Sequence, residues 1–497
     1  MLEKLLSKDD KRKYNLLYLL ERSDAHFLEK TELKEKLDIS DFLLKKTLEQ
    51  VNEDCQAFSV YQQYGLVASE SSIRLETDGS VNCHFFLNQY LRDSTSVLLL
   101  REILFDSISS INDFATKHYL SYPKVYNLLK DLRVFLKSYD LTIDKKMRFV
   151  GNEMATRTFF VELFSKIYHD DFSVYPGIDS EIINYRIKLY QQDIYGELSI
   201  SDEIMMKHFL YINYLRMSHH HFLETNELFE EFQGLLAAHL EVVEKYKALF
   251  TFHTNSQQVQ AEVVYLILWL GTKNILPRED MKLIRQLQGV EELTETFIEA
   301  VMSVFFMESE LNILDDKFLY DLYAIHLSLY LMTPSFNGFV YEMDVSYFKD
   351  NYPEFFYFCQ KYIADMKEKN KRIWEFRLVI FYRYLFLLCS FLPSDRYLVP
   401  IHLYIDFSFG KAYNQLIGNN LHFFKSLGVE ISYSFSEETD IILTDSAYID
   451  RGHNMEKVLW LSPPNPIDWV NLSEKIVARR NNKVQDVLDL IRDKSFQ

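Results

Sequence analysis

Glycine is scarce, with 13 residues in a chain of 497. That scarcity disfavours Gly-rich nucleotide loops and β-barrels, and neither a phosphate-cradling loop nor a dinucleotide fingerprint is present. The four cysteines, Cys55, Cys83, Cys359 and Cys389, are scattered without metal spacing and predict reduced structural thiols of a cytoplasmic protein. Long apolar runs are also missing. Val263–Leu270 is too short to cross a bilayer, and Leu378–Leu388 is flanked by Arg377 and interrupted by Arg383, so both are expected to be buried core helices and no membrane partner is predicted. The polar N-terminus predicts no secretory signal. His219, His220 and His221 are adjacent, so on a helix they point in different directions and predict a polar helix end, not a metal site. No catalytic residue, metal or cofactor is nominated.

What the chain has in quantity is aromatic side chains, 39 Phe and 33 Tyr, within a 48% hydrophobic composition. It can bury large cores and is long enough for roughly three to five domains. The net charge is −18, unfavourable for a polyanion-binding protein taken whole. Its distribution matters more. Residues 1–160 carry 23 Lys+Arg against 24 Asp+Glu, a net of −1, which leaves 54 − 23 = 31 against 72 − 24 = 48, a net of −17, for the rest. Contact with a polyanion is therefore expected in the N-terminal third.

The segment Ile111–Leu132 reads as a helix-turn-helix. Phe114 and Ala115 lie on a first helix, Leu120 is the expected buried turn residue, Ser121 the expected cap, and Pro123 falls in the first turn, where its missing N–H costs little. Val125, Leu128, Leu129 and Leu132 recur at helical spacing as a core face. Lys124, Asn127, Lys130, Arg133 and Lys137 are left to face phosphates and base edges. A second copy, Glu32–Leu48, has Leu33 and Leu37, the turn residue Ile39, the cap Ser40, and then Lys45 and Lys46. An apolar helix precedes each copy, Tyr14–Leu20 and Val97–Leu104, and a candidate β wing follows. The first wing, Ile73–Val81, is predicted to turn at Asp78-Gly79. The second, Leu141–Val150, has a basic tip of Lys145, Lys146 and Arg148. Two tandem winged helices are expected. An ordinary pair of helical hairpins is the plain alternative.

From Thr156 to about Leu392 the apolar period is helical. Met205–Met217, Glu224–Leu240, Val259–Leu270, Phe318–Leu331 and Arg372–Leu388 are the clearest stretches, with breaks near 251–255, Pro277, 333–338 and Pro393. Two long helices each begin with Glu followed by an aromatic-rich run, Glu262–Trp269 and Glu375–Tyr382, which predicts duplicated helical domains of about 115 residues.

The junction Gly151-Asn152-Glu153-Met154-Ala155-Thr156-Arg157 resembles the Gly-x-Glu…Arg element that leads into the first PTS-regulation domain (PRD) of sugar phosphotransferase-regulated activators and antiterminators. Lys207–Arg216 is similar to the PRD element around its first regulatory histidine, and the resemblance places His208 there. Phe318–Leu327 resembles the matching element of a second PRD and points to His326. Trp269 and Tyr382 stand where the family often has a further histidine, so one family-type histidine remains per PRD.

From Leu398 the pattern alternates strand and helix: Ile401–Ile405, a helix Ala412–Ser426, Val429–Tyr433, Asp440–Thr444 and Val458–Leu461, which predicts a small parallel α/β domain. It resembles enzyme IIB components of phosphotransferase systems, where a phosphocysteine ends the first strand. No Cys lies between Leu398 and Gln497, which excludes transfer through that thiol. Ser408 has no visible activating base and is not nominated as a replacement nucleophile.

The resulting fold class is a mainly α multidomain chain. Its expected domains are winged helices over 1–81 and 82–155, PRD-like bundles over 156–275 and 276–392, and an enzyme IIB-like α/β domain over 393–497. This order resembles the Mga/AtxA-type virulence regulators of Gram-positive bacteria. The resemblance implies a cytoplasmic, non-enzymatic transcriptional activator of virulence or sugar-responsive genes. It would bind promoter double-stranded DNA, dimerise through the IIB-like domain, and be phosphorylated on His208 and His326 by the phosphocarrier protein. A PRD-type RNA-binding antiterminator and a non-DNA-binding interaction scaffold are the alternatives.

Overall fold

The structure is a computed structural model that describes residues 2–250, 256–306, 315–331, 345–392, 398–425, 427–447 and 455–493. The chain divides into two compact units, Met1–Ile267 with Leu331–Phe339, and Leu268–Tyr330 with Val340–Gln497. The breaks expected at 251–255, 333–338 and Pro393, and with the last the boundary at 392/393, lie outside the described residues. Among the described residues no helix is long and apolar enough to cross a membrane.

The first unit opens with helices α1 (Lys8–Glu21), α2 (Lys30–Leu37) and α3 (Asp41–Ala57) and strands β1 (Phe27–Glu29), β2 (Tyr64–Ala68) and β3 (Ser72–Thr77). The Ser7 hydroxyl caps α1 by accepting from the Asp10 amide, and Ser40 caps α3 by accepting from Leu43. The strands form one antiparallel sheet in the order β1-β3-β2. Its hairpin differs from the expected wing. Val67 pairs with Arg74 and Ala68 with Ile73, so the turn is Ser69–Ser71, where the Ser69 hydroxyl accepts from the Ser72 amide. Asp78-Gly79 follows β3 and leads into the next helix, with Gly79 at φ +83°. The alternation over 73–77 was read correctly, but its partner strand lies before it in the chain.

A second set follows: α4 (Cys83–Asp93), α5 (Thr95–Leu104), α6 (Ile111–Lys117), α7 (Tyr122–Lys137) and the two-residue strands β4 (Thr142–Ile143) and β5 (Phe149–Val150), which pair antiparallel. Phe114, Ala115, Val125, Leu129 and Leu132 are buried as their spacing requires, while Leu120 and Leu128 are half-buried. Helix α8 (Glu153–Tyr168) comes next, then α9 (Ser180–Asp193), α10 (Ile200–Ser218), α11 (Glu227–Leu236), α12 (Leu240–Lys247) and α13 (Ser256–Thr272).

Helix α8 serves two cores. The Phe159 ring lies 4.9 Å from Tyr139, and Phe160 lies 5.1 Å from Phe149 of β5. On another side Arg157 reaches Glu262 of α13. The expected boundary between 155 and 156 therefore cuts the first turn of a helix that both neighbours need.

The second unit holds α14 (Arg278–Arg285), α15 (Gln288–Phe305), α16 (Asp316–Leu331), α17 (Ser346–Asn351), α18 (Pro353–Lys369), α19 (Lys371–Glu375) and α20 (Arg377–Phe391). The chain breaks at Phe376, so Glu375 ends a short helix and does not lead the long one. Glu262 lies inside α13, so the proposed internal repeat fails at its signature glutamate. Strands β6 (Ile401–Asp406), β7 (Val429–Ser432), β8 (Ile441–Thr444) and β9 (Glu456–Leu459) form a wholly parallel sheet in the order β7-β6-β8-β9. Helices α21 (Lys411–Asn420), α22 (His422–Lys425), α23 (Pro466–Lys483) and α24 (Gln485–Asp493) complete this part. Ile401, Leu403 and Ile405 pack with Ile417, Leu472 and Ile476 as its core. Ser408 follows β6 and donates to Asp445 at 2.5 Å.

Candidate nucleic-acid interface and buried histidines

Helix α7 begins at Tyr122 with Ser121 in the cap position, but the Ser121 side chain makes no capping bond. A cap hydroxyl accepts from the second or third helical amide. Pro123 holds the second position and has no N–H to give. The Val125, Leu129, Leu132 and Leu136 side chains face inward with the Phe135 ring, and Lys124, Asn127, Lys130 and Lys137 are exposed on the other side. Arg133 departs from this pattern. It is half-buried and donates through Nε to the Ile143 carbonyl at 2.8 Å and through a terminal nitrogen to the Asp144 carbonyl at 3.3 Å. Its guanidinium ties α7 to the wing, so its position is a structural one.

The wing tip is built on Asp144. Its carboxylate accepts from the amides of Lys146 at 2.7 Å and Arg148 at 2.9 Å, and meets the Arg148 side chain at 3.3 Å. Slight burial opposes ionisation, but these donors hold the carboxyl below its usual range. Lys145, Lys146 and Arg148 are exposed on the resulting loop. In the first winged unit Lys45 and Lys46 are exposed on α3, but Lys45 lies 4.0 Å from Glu49, and Asp41 and Glu53 are exposed on the same helix. The positive field is therefore weaker there than along α7.

Sequence reasoning missed three tyrosines. Tyr119, Tyr122 and Tyr126 are 97%, 49% and 51% exposed, and the rings of Tyr122 and Tyr126 stack at 6.4 Å. Their positions outside the Val125–Leu129–Leu132 face were the available signal.

The two nominated histidines are fully buried. His208 on α10 accepts at Nδ1 from the Tyr175 hydroxyl and donates from Nε2 to the His169 carbonyl, both at 2.7 Å. A carbonyl only accepts, so the proton sits on Nε2 and the lone pair on Nδ1. His326 on α16 shows the opposite tautomer. The Thr294 hydroxyl already donates to the Val290 carbonyl, so it accepts from His326 Nδ1 at 2.7 Å, and Nε2 accepts from Tyr384 at 2.8 Å. Burial lowers His208 to about 4 and His326 to about 3, so both rings are neutral. In each case a buried tyrosine hydroxyl covers the nucleophilic nitrogen.

Arg216, two turns beyond His208, is not free to meet a charge there. It binds both oxygens of Glu153, at 2.9 and 2.7 Å. Glu153 also meets Arg157 Nε at 3.0 Å, and Arg157 further contacts Glu262 at 2.5 and 3.0 Å and the Asn213 side chain at 2.6 Å. Burial pushes the Glu262 carboxyl up, and the Arg157 contact pulls it back. Beside α16, Arg383 donates to Ser328 and Arg372 to the Leu329 carbonyl; these cations come from α19 and α20, outside the stretch 327–332 in which the sequence offers none.

The histidine run is not simply a polar helix end. His219 and His221 both meet one oxygen of Asp106, at 3.0 and 2.9 Å. Among the described residues no group of three or more His, Cys, Asp or Glu could hold a metal ion.

The pair α6–α7 with its small wing defines a helix-turn-helix protein. The Mga helix-turn-helix domain matches residues 80–164. A Streptococcus pneumoniae protein described as a trans-acting regulator is 23% identical over 226 residues, covering 45% of this chain and 44% of its own. The capsule synthesis positive regulator AcpA of Bacillus anthracis is 20% identical over 384 residues, 73% of this chain and 76% of AcpA. AcpB of the same organism is 19% identical over 254 residues, 51% of each chain. The chain thus spans under half of the first relative and about half of the third. These matches bear out the resemblance to Mga/AtxA-type virulence regulators.

Proposed function

We propose that this protein is a DNA-binding transcriptional activator that lays α7 in the major groove and the β4–β5 wing against the backbone. The supporting observation is the exposed face of Lys124, Asn127, Lys130 and Lys137 within the span that matches the Mga helix-turn-helix domain. Activation is inferred from the positive regulators AcpA and AcpB. Gel-shift titration of the full chain on duplex DNA tests this assignment. Affinity falling steeply with salt is expected, since phosphate contacts release counterions. Salt-independent binding, or none, would refute it.

Control by the phosphocarrier protein at His208 and His326 belongs to the same proposal. Each nitrogen that would take the phosphoryl group is covered by a tyrosine, so transfer requires Tyr175 or Tyr384 to move aside. Phosphate-affinity gels after incubation with the phosphocarrier system test it, and an unlabelled chain beside a labelled control protein would exclude it. Dimerisation through the C-terminal α/β part is supported by the exposed Phe409, Phe423, Leu459, Leu461 and Ile467.

A further inference from the structure

The N-terminal half of α7 carries chemistry that a phosphate-binding helix does not need. Three tyrosines within eight residues stand out into solvent, while Tyr14, Tyr64, Tyr90 and Tyr139 of the same unit are buried. The residues at the start of a recognition helix are those that reach base edges. Here these positions offer two large apolar rings, Tyr122 and Tyr126, and one amide, Asn127. No Arg, Gln or Glu stands among Tyr122–Asn127, so the usual bidentate partner of guanine is absent from this turn of the helix. An Asn amide matches adenine N6 and N7, and an apolar ring matches the thymine C5 methyl, which stands out into the major groove of the same base pair.

We propose that α7 reads A·T base pairs, with Asn127 on adenine and Tyr126, backed by its stacked neighbour Tyr122, on the thymine methyl. This rests on α7 entering the groove as proposed above. The lysines on the same face then set affinity, and the tyrosines and Asn127 set the base preference.

The test uses the full chain and three 30-base-pair duplexes of alternating sequence, dA-dT, dA-dU and dG-dC, followed by fluorescence anisotropy at fixed salt. Replacing thymine by uracil removes the methyl and nothing else from the groove edge. The wild-type chain is expected to bind dA-dT about tenfold tighter than dG-dC and about threefold tighter than dA-dU, on the scale of one base contact. Tyr126→Ala should bind dA-dT and dA-dU alike. Tyr126→Phe should keep the difference, since the ring remains. Asn127→Ala should lose most of the preference over dG-dC. Equal wild-type affinity for dA-dT and dA-dU, with salt-dependent binding intact, would overturn the inference alone. Failure to bind any duplex would overturn the DNA-reading assignment and this inference with it. Thermal melts of each variant identify those that fail to fold; Tyr126→Phe then keeps the comparison usable.

Discussion

Lys124, Lys130 and Arg133 carry equal charges on one helix but have different roles. The lysines are exposed, so Lys124→Ala with Lys130→Ala should leave the melting temperature unchanged and lower the salt slope of DNA binding by about one per lost phosphate contact. Arg133→Ala removes two bonds to the wing carbonyls. It should cost about 1 kcal/mol of stability and weaken binding by loosening the wing, with a smaller change in slope. Anisotropy titrations at several salt concentrations, beside thermal melts, separate the two effects. Buried histidines set a second residue-scale outcome. His208 and His326 are lowered to about 4 and about 3, below the unfolded value of about 6.5. The fold holds them neutral, so their stability contribution is complete above pH ~6.5 and drains away as pH falls toward 4 and then 3. The loss for His208 alone is about 3 kcal/mol. Urea midpoints between pH 7 and pH 4 should fall in wild type and fall less steeply in His208→Gln. An aspartate at 208 would sit buried with Arg216 already committed to Glu153, so His208→Asp should destabilise the first unit.

Among the elements, the helices were the most legible in sequence and the strand partners the least. The pattern at Val125–Leu132 places α7 because one periodic face suffices to define a helix. A wing needs the register of two strands, and the Asp-Gly signal at 78–79 competed with a serine turn at 69–71 that carries no glycine. The Glu262 and Glu375 runs looked alike because spacing does not reveal a break at Phe376. Nor does it reveal that Glu262 is matched by an arginine 105 positions earlier. This pairing yields the element-scale prediction. Glu262→Ala strands the Arg157 guanidinium in the core of α8, α10 and α13, and should cost about 3–5 kcal/mol. Glu262→Gln, which keeps an acceptor, should cost less. Chemical denaturation of the two variants gives the ordering, and an Ala variant within 1 kcal/mol of wild type would show that the cluster is not under tension.

At the scale of the whole molecule, charge and connectivity set the expectations. The net of −17 beyond residue 160 confines polyanion contact to the N-terminal third. A chain ending at residue 392 should elute as a monomer if the exposed apolar residues of the α/β part form the dimer interface. Light scattering that still reports a dimer would move the interface elsewhere. The sequence reading led us to expect the DNA-reading part to stand alone as residues 1–160. Helix α8 contradicts this, because Arg157 takes its partners from α10 and α13, and a fragment ending at residue 160 should melt broadly and aggregate. The same helix also bears on how such proteins diversify. A gene crossover placed just after the wing would bring a foreign Arg157 to a bundle that has no carboxylate waiting for it, so a new DNA specificity cannot be acquired by exchanging the reader at that seam. Successful chimaeras should carry Glu153, Arg157, Arg216 and Glu262 from one parent. Soluble yield across a crossover series should therefore show a trough between residues 153 and 262.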